Sequence, residues 1–506
     1  MRFLHDILLE GAAGRSGQTA LIFQDETVTY GALQRAAENL AAQLAELGVK
    51  AGDRVAYLDE NSTEYPVVVF AVSMLGALFV PINFRFAPDE IAYLVNDAKP
   101  HVLIVAPAYL SQVEKARPSF DQSVAVIEKP RLETLLEADA QDTRPRPALS
   151  EDAPAMVMYT SGTTGFPKGV LFSHRTYLAN VKAIIESGEL TSSDRMMVSL
   201  PLFHNGGLTA VLMPTLLLGA VAVIMARGFK PEEILEAVEK HRITSVMWVP
   251  TMLSMLIASE ASSRFDTSSL SKIWYGSSPI APDLLNRSKR TFGADHYQFY
   301  GMTETGMTSV LKPADHDLYP GSTGRAMPAA RLRLVDTQGQ DVAVGEIGEV
   351  LSLKEPLGMI GYFGKDEETR KVLRDGWIHT GDLARNLGNG YFLIVDRKKD
   401  MIISGAENIY PREIELVLAG HPRVREVAVF GIPDGTYGEA VCAAVVAEPG
   451  STLTGEEITS WCAERLAGYK KPKKVVLMNE LPKNAAGKIL KNNLKAPFWQ
   501  GSATAI

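Results

Sequence analysis

The chain has 506 residues, of which 46% are hydrophobic, and this length predicts about three structural units with buried cores. It carries 51 basic and 59 acidic side chains, and the net charge of -8 excludes a general attraction for nucleic acid, so any anion site must be local. The chain has two cysteines, Cys442 and Cys462. These are too few to cross-link a chain of this length, which excludes a fold held together by disulfide bonds.

The first ten residues do not resemble an export signal, because Asp6 and Glu10 interrupt what would have to be an apolar core. Together with the cysteine content, this leads us to expect a cytoplasmic protein. The apolar run 208–226 approaches the length of a membrane span but contains Pro214 and Gly219. We interpret it as a buried helix, a turn and a strand over 220–225.

Helical spacing of apolar residues alternates along the chain with short apolar runs that are typical of buried strands. Helices are predicted over 30–47, 231–241 and 451–466, and strands over 55–58, 103–105, 155–159, 245–249, 391–395, 401–403, 426–430 and 440–446. This alternation indicates an α/β fold with substantial parallel sheet.

A loop built to hold phosphate follows the predicted strand 155–159. The run 160–169 reads Thr-Ser-Gly-Thr-Thr-Gly-Phe-Pro-Lys-Gly. Its glycines let backbone N–H groups converge on an anion, its hydroxyls add donors, and Lys168 adds positive charge. It is not a Walker A loop, because Pro167 stands where that motif requires glycine and no Ser or Thr follows Lys168.

Three further motifs follow in chain order. The turn 300–304, Tyr-Gly-Met-Thr-Glu, offers a hydroxyl for phosphate and, in Glu304, a carboxylate for Mg²⁺. Asp382, after a Thr-Gly turn, suits ribose hydroxyls, and Arg397 can share that task. Near the end, Lys488 stands in a loop beside Gly487.

In this order and spacing, the four motifs resemble the adenylate-forming superfamily of acyl-CoA synthetases, adenylation domains and luciferases. The resemblance covers essentially the whole chain. It implies a large N-terminal AMP-binding domain over 1–396, made of two β-sheet subdomains and a β-barrel-like lobe. A hinge at 397–400 containing Lys399 and a small, swivelling C-terminal α/β domain over 401–506 complete the implied architecture.

The resemblance also implies residue roles. Lys488 would bridge the substrate carboxylate and the α-phosphate of ATP, with Thr160, Glu304 and His204 as the other catalytic candidates. The nucleotide would contact Ser161, Gly162, Thr163, Thr164, Gly165, Lys168, Gly276, Ser277, Ser278, Pro279, Tyr300, Gly301, Thr303, Asp382 and Arg397. Glu304 would also hold Mg²⁺.

A basic cluster near 469–473 resembles the family segment that contacts the phosphates of CoA. The implied CoA residues are Arg85, Tyr437, Tyr469, Lys471 and Lys473. After adenylation, rotation at Lys399 is expected to exchange the Lys488 loop for the opposite face of the small domain, so that one site serves two reactions.

The expected acid pocket is lined by small or apolar residues, with His204 as a gate beside the substrate carboxylate. Its other predicted members are Asn205, Gly206, Val249, Thr251, Gly276, Met302, Gly306 and Met307. No Arg or Lys occurs in these segments to pair with a second carboxylate, and no Asp to pair with an α-amino group, so an uncharged tail is favoured. The residues leave open whether the tail is medium-chain, branched or aromatic.

The resulting hypothesis is an AMP-forming ligase that converts a medium-chain or aryl acid, with ATP, Mg²⁺ and CoA, to its acyl-CoA. The alternative is a stand-alone enzyme that loads an acyl group onto a carrier protein. A luciferase-like oxygenase and a catalytically silent nucleotide-binding regulator are disfavoured, the latter because Lys488 and Glu304 are both present. Nucleic acid and membrane partners are not expected, and a homodimer is possible on family grounds.

Overall fold

Parallel strands form the centres of two sheets in the computed structural model, which describes residues 1–137, 148–160, 167–226, 228–278, 280–404, 407–483 and 489–500. The chain divides into two units. The first comprises Met1–Leu332 and Leu351–Thr380, and the second comprises Arg333–Val350 and Gly381–Ile506. The hinge predicted at 397–400 lies inside the second unit and stays a prediction.

A sheet of nine described strands forms one half of the first unit. Its order across the sheet is Arg325–Ala326, Gly306–Leu311, Asp295–Met302, Lys272–Gly276, Ser245–Trp248, Arg195–Val198, Val221–Ile224, Thr19–Phe23 and Glu26–Thr29. The strands from Asp295–Met302 to Thr19–Phe23 are parallel to their neighbours, and the remaining pairings at both edges are antiparallel.

A second sheet, of seven described strands, forms the other half of this unit. Its order is Gly361–Tyr362, Lys168–Ser173, Pro154–Thr160, Leu78–Ile82, Arg54–Leu58, Val102–Val105 and Ala125–Glu128. Pairing is parallel from Pro154–Thr160 onward and antiparallel between the first three strands. The sequence prediction of an α/β fold with parallel sheet is confirmed.

Helices cover these sheets with apolar faces. Those of the first unit are Asp6–Ala12, Tyr30–Glu46, Glu64–Met74, Pro88–Ala98, Leu110–Ala116, Leu132–Glu137, His174–Ser187, Asn205–Gly207, Met213–Leu217, Pro231–His241, Pro250–Ala258, Pro282–Phe292 and Asp366–Val372, with a π-helical segment at Leu208–Leu212. Four of these helices begin with Pro directly after an extended residue, which favours the helix start. The apolar run 208–226 is helix followed by the strand Val221–Ile224, as predicted.

Within the part of the chain that the structure describes, no helix combines the length and the apolar character that a membrane span requires.

The second unit contains the C-terminal α/β domain expected from the sequence. The strands of its main sheet are Glu407–Ile409, Ile402–Ser404, Gly438–Ala447, Val424–Asp434 and Lys474–Met478. Its helices are Pro411–Ala419, Gly455–Ala463 and Lys491–Trp499. A separate sheet contains Leu332–Val335, Ile347–Leu353, Leu373–Arg374, Trp377–Gly388 and Tyr391–Arg397, of which Leu373–Arg374 belongs to the first unit.

One predicted helix is too long at both ends. The expected span 451–466 is a helix only over Gly455–Ala463, because the Thr454 side chain accepts a hydrogen bond from the backbone N–H of Glu457 over 3.2 Å and sets the start there. The predicted strands 426–430 and 440–446 are the centre of a longer hairpin, whose cross-strand pairing continues to Asp434 and Gly438.

Candidate active site

The predicted phosphate loop connects the antiparallel strands Pro154–Thr160 and Lys168–Ser173. Thr160 and Lys168 stand opposite each other in the register and therefore close the loop at its base. Both are half-buried. Ser161, Gly162, Thr163, Thr164 and Gly165 lie outside the described residues, so their contacts with phosphate stay a prediction.

The ammonium group of Lys168 is held at the base of this loop by a carboxylate. It donates to Oε2 of Glu368 and lies 5.2 Å from the ring centroid of Tyr362. The hydrogen bonds from Lys168 and then from Lys371 lower the pKa of Glu368 to about 2. Glu368 is therefore a carboxylate throughout the neutral pH range, beside the cation that sequence reasoning assigns to phosphate.

Glu304 lies in the tight connection between strands Asp295–Met302 and Gly306–Leu311, next to Thr303. Its side chain is buried, and Oε1 accepts a hydrogen bond from the Tyr362 hydroxyl over 2.8 Å. Burial, and next the charge of Glu304, raise the pKa of Tyr362 well above its ordinary value of 10. Tyr362 thus remains a donor and holds the Glu304 carboxylate through its hydroxyl, while its ring lies near Lys168.

The segment predicted to hold adenine follows the carboxyl end of strand Lys272–Gly276. A Cβ at Gly276 would come within 2.4 Å of the carbonyl oxygen of Phe299, so only glycine fits there. Ser277 adopts φ 65°, and both Ser277 and Ser278 are exposed. Tyr300 directly follows Phe299, the residue paired with Gly276 in the neighbouring strand, and its contact with adenine stays a prediction. Pro279 lies outside the described residues.

The predicted acid-pocket residues converge at one edge of the nine-stranded sheet. Val249, Gly276 and Met302 each stand at or just beyond the carboxyl end of adjacent parallel strands. Thr251 is the second residue of the helix Pro250–Ala258, which follows the first of these strands. Open α/β sheets bind ligands at this edge.

Gly306 and Met307 form the opposite side of the turn that carries Glu304. Gly306 adopts φ 68°, and a Cβ there would lie 2.2 Å from Oδ1 of Asn180. The Asn180 amide, 2% exposed, accepts from the backbone N–H of Met307 over 2.9 Å and donates to the carbonyl of Leu357 over 2.6 Å. Asn180 thereby connects the Glu304 turn to the segment that leads to Tyr362. Gly301 is also tightly packed. A Cβ there would lie 2.1 Å from the carbonyl oxygen of Gly306, so only glycine fits.

His204 precedes the short helix Asn205–Gly207, and its Nδ1 accepts from the backbone N–H of Gly206 over 3.3 Å. The residue exposes surface, yet protein atoms surround the ring closely enough that desolvation lowers its pKa below the ordinary 6.5. A neutral imidazole there can donate to a carboxylate without an ion pair. Asn205 and Gly206 are buried beside it.

In the second unit, the structure brings together the two residues predicted to hold ribose. Asp382 and Arg397 pair in the hairpin Trp377–Gly388 and Tyr391–Arg397, with 3.1 Å between the Asp382 Oδ1 and Arg397 Nε atoms. Gly381, with φ 70°, allows the turn before Asp382. Lys399 is exposed, and desolvation is the main cause that lowers its pKa.

Part of the predicted CoA cluster is also assembled in the second unit. The Lys473 ammonium lies 4.0 Å from the ring centroid of Tyr437 and 3.1 Å from Oδ2 of Asp434. Tyr437 and Tyr469 are 50% and 49% exposed, and Lys471 is exposed. Arg85 belongs to the first unit, where it is exposed over the Phe84 ring. Lys488 lies outside the described residues, and its role stays a prediction.

Three residues that touch the site were missed by sequence reasoning: Tyr362, Glu368 and Asn180. Each reaches a motif residue from far along the chain, so no local spacing indicates it. Among the described residues, no group of three His, Cys, Asp or Glu side chains could hold a metal ion by itself. Mg²⁺ commonly takes one or two protein carboxylates and completes its shell with phosphate and water, and Glu304 fits that partial set.

Comparison with known proteins agrees with this geometry over nearly the whole chain. The model of the AMP-binding enzyme family matches residues 8–363, and that of the AMP-binding enzyme C-terminal domain matches 413–488. The indoleacetate–CoA ligase of Aromatoleum aromaticum is 39% identical, covering 95% of both chains, and the feruloyl-CoA synthase of an Amycolatopsis species is 40% identical, covering 96% of both. The fatty acid–[acyl-carrier-protein] ligase ScoC of Streptomyces coeruleorubidus is 34% identical, covering 96% of this chain and 95% of that protein.

Two solved structures show the same fold with ligands. The anthranilate CoA ligase AuaEII in complex with anthranoyl-AMP superposes with a TM-score of 0.91 at 28% identity, covering 99% of this chain and 98% of that one. The o-succinylbenzoate CoA synthetase MenE of Bacillus subtilis with ATP and magnesium gives 0.85 at 32% identity, covering 96% and 98%.

Fold and site together define an adenylate-forming ligase, which joins an acid to a thiol at the expense of ATP. The chain belongs to the AMP-binding enzyme family. It is an acid–thiol ligase that binds ATP, activates a carboxylic acid as its adenylate and transfers the acyl group to CoA.

Proposed function

We propose that the preferred substrate is an aromatic acid with an uncharged ring, such as an arylacetic or arylpropenoic acid, and that Mg²⁺ accompanies ATP at Glu304. The carrying observation is that Val249, Gly276 and Met302 stand at the carboxyl edge of adjacent parallel strands, and that these residues, with Gly306 and Met307, are predicted to line the acid pocket and bear no formal charge. Burying an unpaired second charge against such a wall is costly. The relatives at 39% and 40% identity, named for indoleacetate and ferulate, support the aromatic choice.

In the first half-reaction, a carboxylate oxygen of the acid attacks the α-phosphorus of ATP, and pyrophosphate leaves with its bonding electrons. Like charges repel during this attack, so preorganised cations and donors must neutralise them. Lys168 and the loop donors would hold the β- and γ-phosphates, and Lys488 would bridge the acid and the α-phosphate. Bound at Glu304, Mg²⁺ would supply charge neutralisation on the phosphates.

In the second half-reaction, the sulfur of CoA attacks the acyl carbonyl carbon, the thiol proton is lost, and AMP leaves. We propose that the chain rotates near Lys399 between these steps, so that one site serves both half-reactions. Lys488→Ala is then expected to abolish pyrophosphate exchange but to keep conversion of supplied acyl-adenylate to thioester. Equal loss of both half-reactions would contradict this assignment.

The substrate proposal is tested by AMP release across a panel of acids at fixed ATP, Mg²⁺ and CoA. Indoleacetate, phenylacetate and ferulate represent aryl acids; octanoate represents fatty acids; malonate represents a second carboxylate. We expect kcat/KM to be highest for an aryl acid and lowest for malonate. A preference for octanoate would overturn the aromatic assignment and leave the ligase activity intact.

A second candidate acceptor is a carrier protein, favoured by the 34% identical ligase ScoC. The Tyr437–Lys473 contact favours CoA, because it offers a ring and a cation to an adenine nucleotide. Competition between free CoA and a phosphopantetheinyl carrier protein for the same acyl-adenylate distinguishes the two. The cytoplasmic location and a homodimer remain predictions, the latter testable by light scattering.

A further inference from the structure

One helix of the first unit contacts both ends of the phosphate loop. Tyr93 and Asp97 are four residues apart on the helix Pro88–Ala98 and therefore lie on one face. Neither belongs to a nucleotide motif. Each side chain nevertheless contacts one of the two segments that flank residues 161–166.

Tyr93 holds the C-terminal end of the loop. Its hydroxyl donates to the carbonyl oxygen of Pro167 over 3.0 Å. Pro167 immediately precedes Lys168 and has no N–H of its own, so its carbonyl is the group through which the backbone can be anchored there. The hydrogen bond fixes where the strand Lys168–Ser173 begins.

Asp97 holds the N-terminal end. Its Oδ2 accepts from the hydroxyl of Tyr159 over 2.8 Å, and Tyr159 directly precedes Thr160. The other oxygen of Asp97 accepts from the Lys365 ammonium. The Asp97 side chain is only 13% exposed, so both contacts are shielded from water and competing ions.

Lys365 extends this arrangement to the partner of Lys168. It is the residue before the helix Asp366–Val372, which carries Glu368, and Glu368 accepts from Lys168. The backbone of Phe363 also donates to the carbonyl of Gly169 over 2.8 Å. The helix Pro88–Ala98 thus connects to the start of the loop, to its end and to the segment that carries Glu368, the carboxylate paired with Lys168.

We propose that Tyr93 and Asp97 are positioning residues for ATP, which hold both ends of the phosphate loop at the spacing that the triphosphate needs. This inference rests on the proposed role of residues 160–168 as the phosphate loop. Fixing the two ends of a binding segment in advance lowers the conformational entropy that is lost when it binds an anion. Without these anchors the same donors remain present but bind phosphate less tightly.

The test removes single hydroxyl groups. Tyr93→Phe and Tyr159→Phe each delete one anchor and keep the ring. As a matched control, Tyr297→Phe deletes a hydroxyl that donates to Glu189 over 2.8 Å in the other sheet, away from the loop. We expect each anchor variant to raise the KM for ATP by about three- to tenfold, the effect of one hydrogen bond, and the double variant to raise it further. The control is expected to match the wild type.

Two readouts separate positioning from general stability. The KM values for acid and CoA, and thioester formation from supplied acyl-adenylate, are expected to be unchanged, because those steps do not use the β- and γ-phosphates. Hydrogen exchange at residues 159–169 is expected to become faster in the anchor variants and to stay the same elsewhere. An unchanged KM for ATP, an equal rise in all three KM values, or unchanged exchange at the loop would overturn the proposal.

Failure of the underlying function gives a different pattern. Thr163→Val changes the loop itself, and it is expected to raise the KM for ATP in the same assay. If Thr163→Val has no effect, residues 160–168 do not bind phosphate and the proposed function fails. If Thr163→Val raises the KM but Tyr93→Phe does not, the loop assignment holds and the positioning role is refuted.

Discussion

The Tyr362 hydroxyl donates to Oε1 of Glu304 over 2.8 Å, and the ring of the same tyrosine lies 5.2 Å from the ammonium of Lys168. One side chain therefore contacts the carboxylate proposed for Mg²⁺ and the cation proposed for phosphate. Its orientation is fixed from both sides. We infer that Tyr362 sets the spacing between these two charges.

Tyr362→Phe keeps the ring beside Lys168 and removes the donor to Glu304. We expect the Mg²⁺ concentration at half-maximal rate to rise by about three- to tenfold, because the carboxylate is no longer held in one orientation. Pyrophosphate exchange at varied Mg²⁺ measures this. Glu304→Gln serves as the reference and is expected to lower the adenylation rate by about 100-fold or more, as for loss of a preorganised electrostatic group. An effect of Tyr362→Phe on acid binding alone would contradict the inference.

Glu368 is expected to compete with ATP for Lys168. Glu368→Gln removes the carboxylate that now pairs with the ammonium, so the KM for ATP is expected to fall by about two- to fivefold, the range of a partly exposed ion pair. Glu367→Gln, its exposed neighbour on the same helix, is the matched control. A higher KM for ATP in Glu368→Gln would show instead that Glu368 orients Lys168 for phosphate.

Two buried histidines predict acid sensitivity. Burial lowers the pKa of His174 to about 4, and burial likewise lowers the pKa of His296 to about 4, against an ordinary value of 6.5. Between pH 6.5 and pH 4 these two histidines bind protons in the unfolded chain but stay neutral in the folded chain. The free energy of unfolding therefore falls as the pH drops from 6.5 to 4. Each histidine contributes up to about 1.4 kcal/mol per pH unit in this window.

The measurement is Tm at pH 7.5 and pH 5.5 for the wild type, His174→Asn and His296→Asn. Each variant is expected to be less stable at pH 7.5 but to lose less Tm on acidification than the wild type. His101→Asn, at an exposed position, controls for the substitution itself. An identical loss of Tm in all four proteins would exclude these histidines as the cause.

The sequence predicted the parts of the site that local chemistry encodes. Thr160 and Lys168 were assigned to one loop, and they do face each other at its base. Asp382 and Arg397 were assigned to one task, and their side chains pair. In both cases the residues belong to neighbouring strands joined by a short connection. The glycine and hydroxyl residues of that connection predict the turn between the strands.

The missed residues reach the site through the tertiary fold. Tyr362 is 58 positions from Glu304, and Glu368 is 200 positions from Lys168. No periodicity or spacing links such pairs, because they meet only when the strand Gly361–Tyr362 pairs with Lys168–Ser173. The same limit applies to Asn180, whose amide joins segments that are distant in sequence. Local capping explains the remaining error, since Thr454 starts its helix later than hydrophobic spacing suggests.

Asp382→Asn is expected to impair both half-reactions, because ribose is present in ATP and in acyl-AMP alike. Asp382 is 5% exposed and pairs with Arg397, so loss of its charge should raise the KM for ATP and the KM for supplied acyl-adenylate by about 10- to 100-fold each. Asp341→Asn is the matched control, since Asp341 makes a similar but exposed contact with Arg333 over 2.8 Å in the same unit. Substitutions in the phosphate loop should affect only the step that uses ATP. If Asp382→Asn spares the reaction of acyl-adenylate with CoA, Asp382 contacts the triphosphate rather than the ribose.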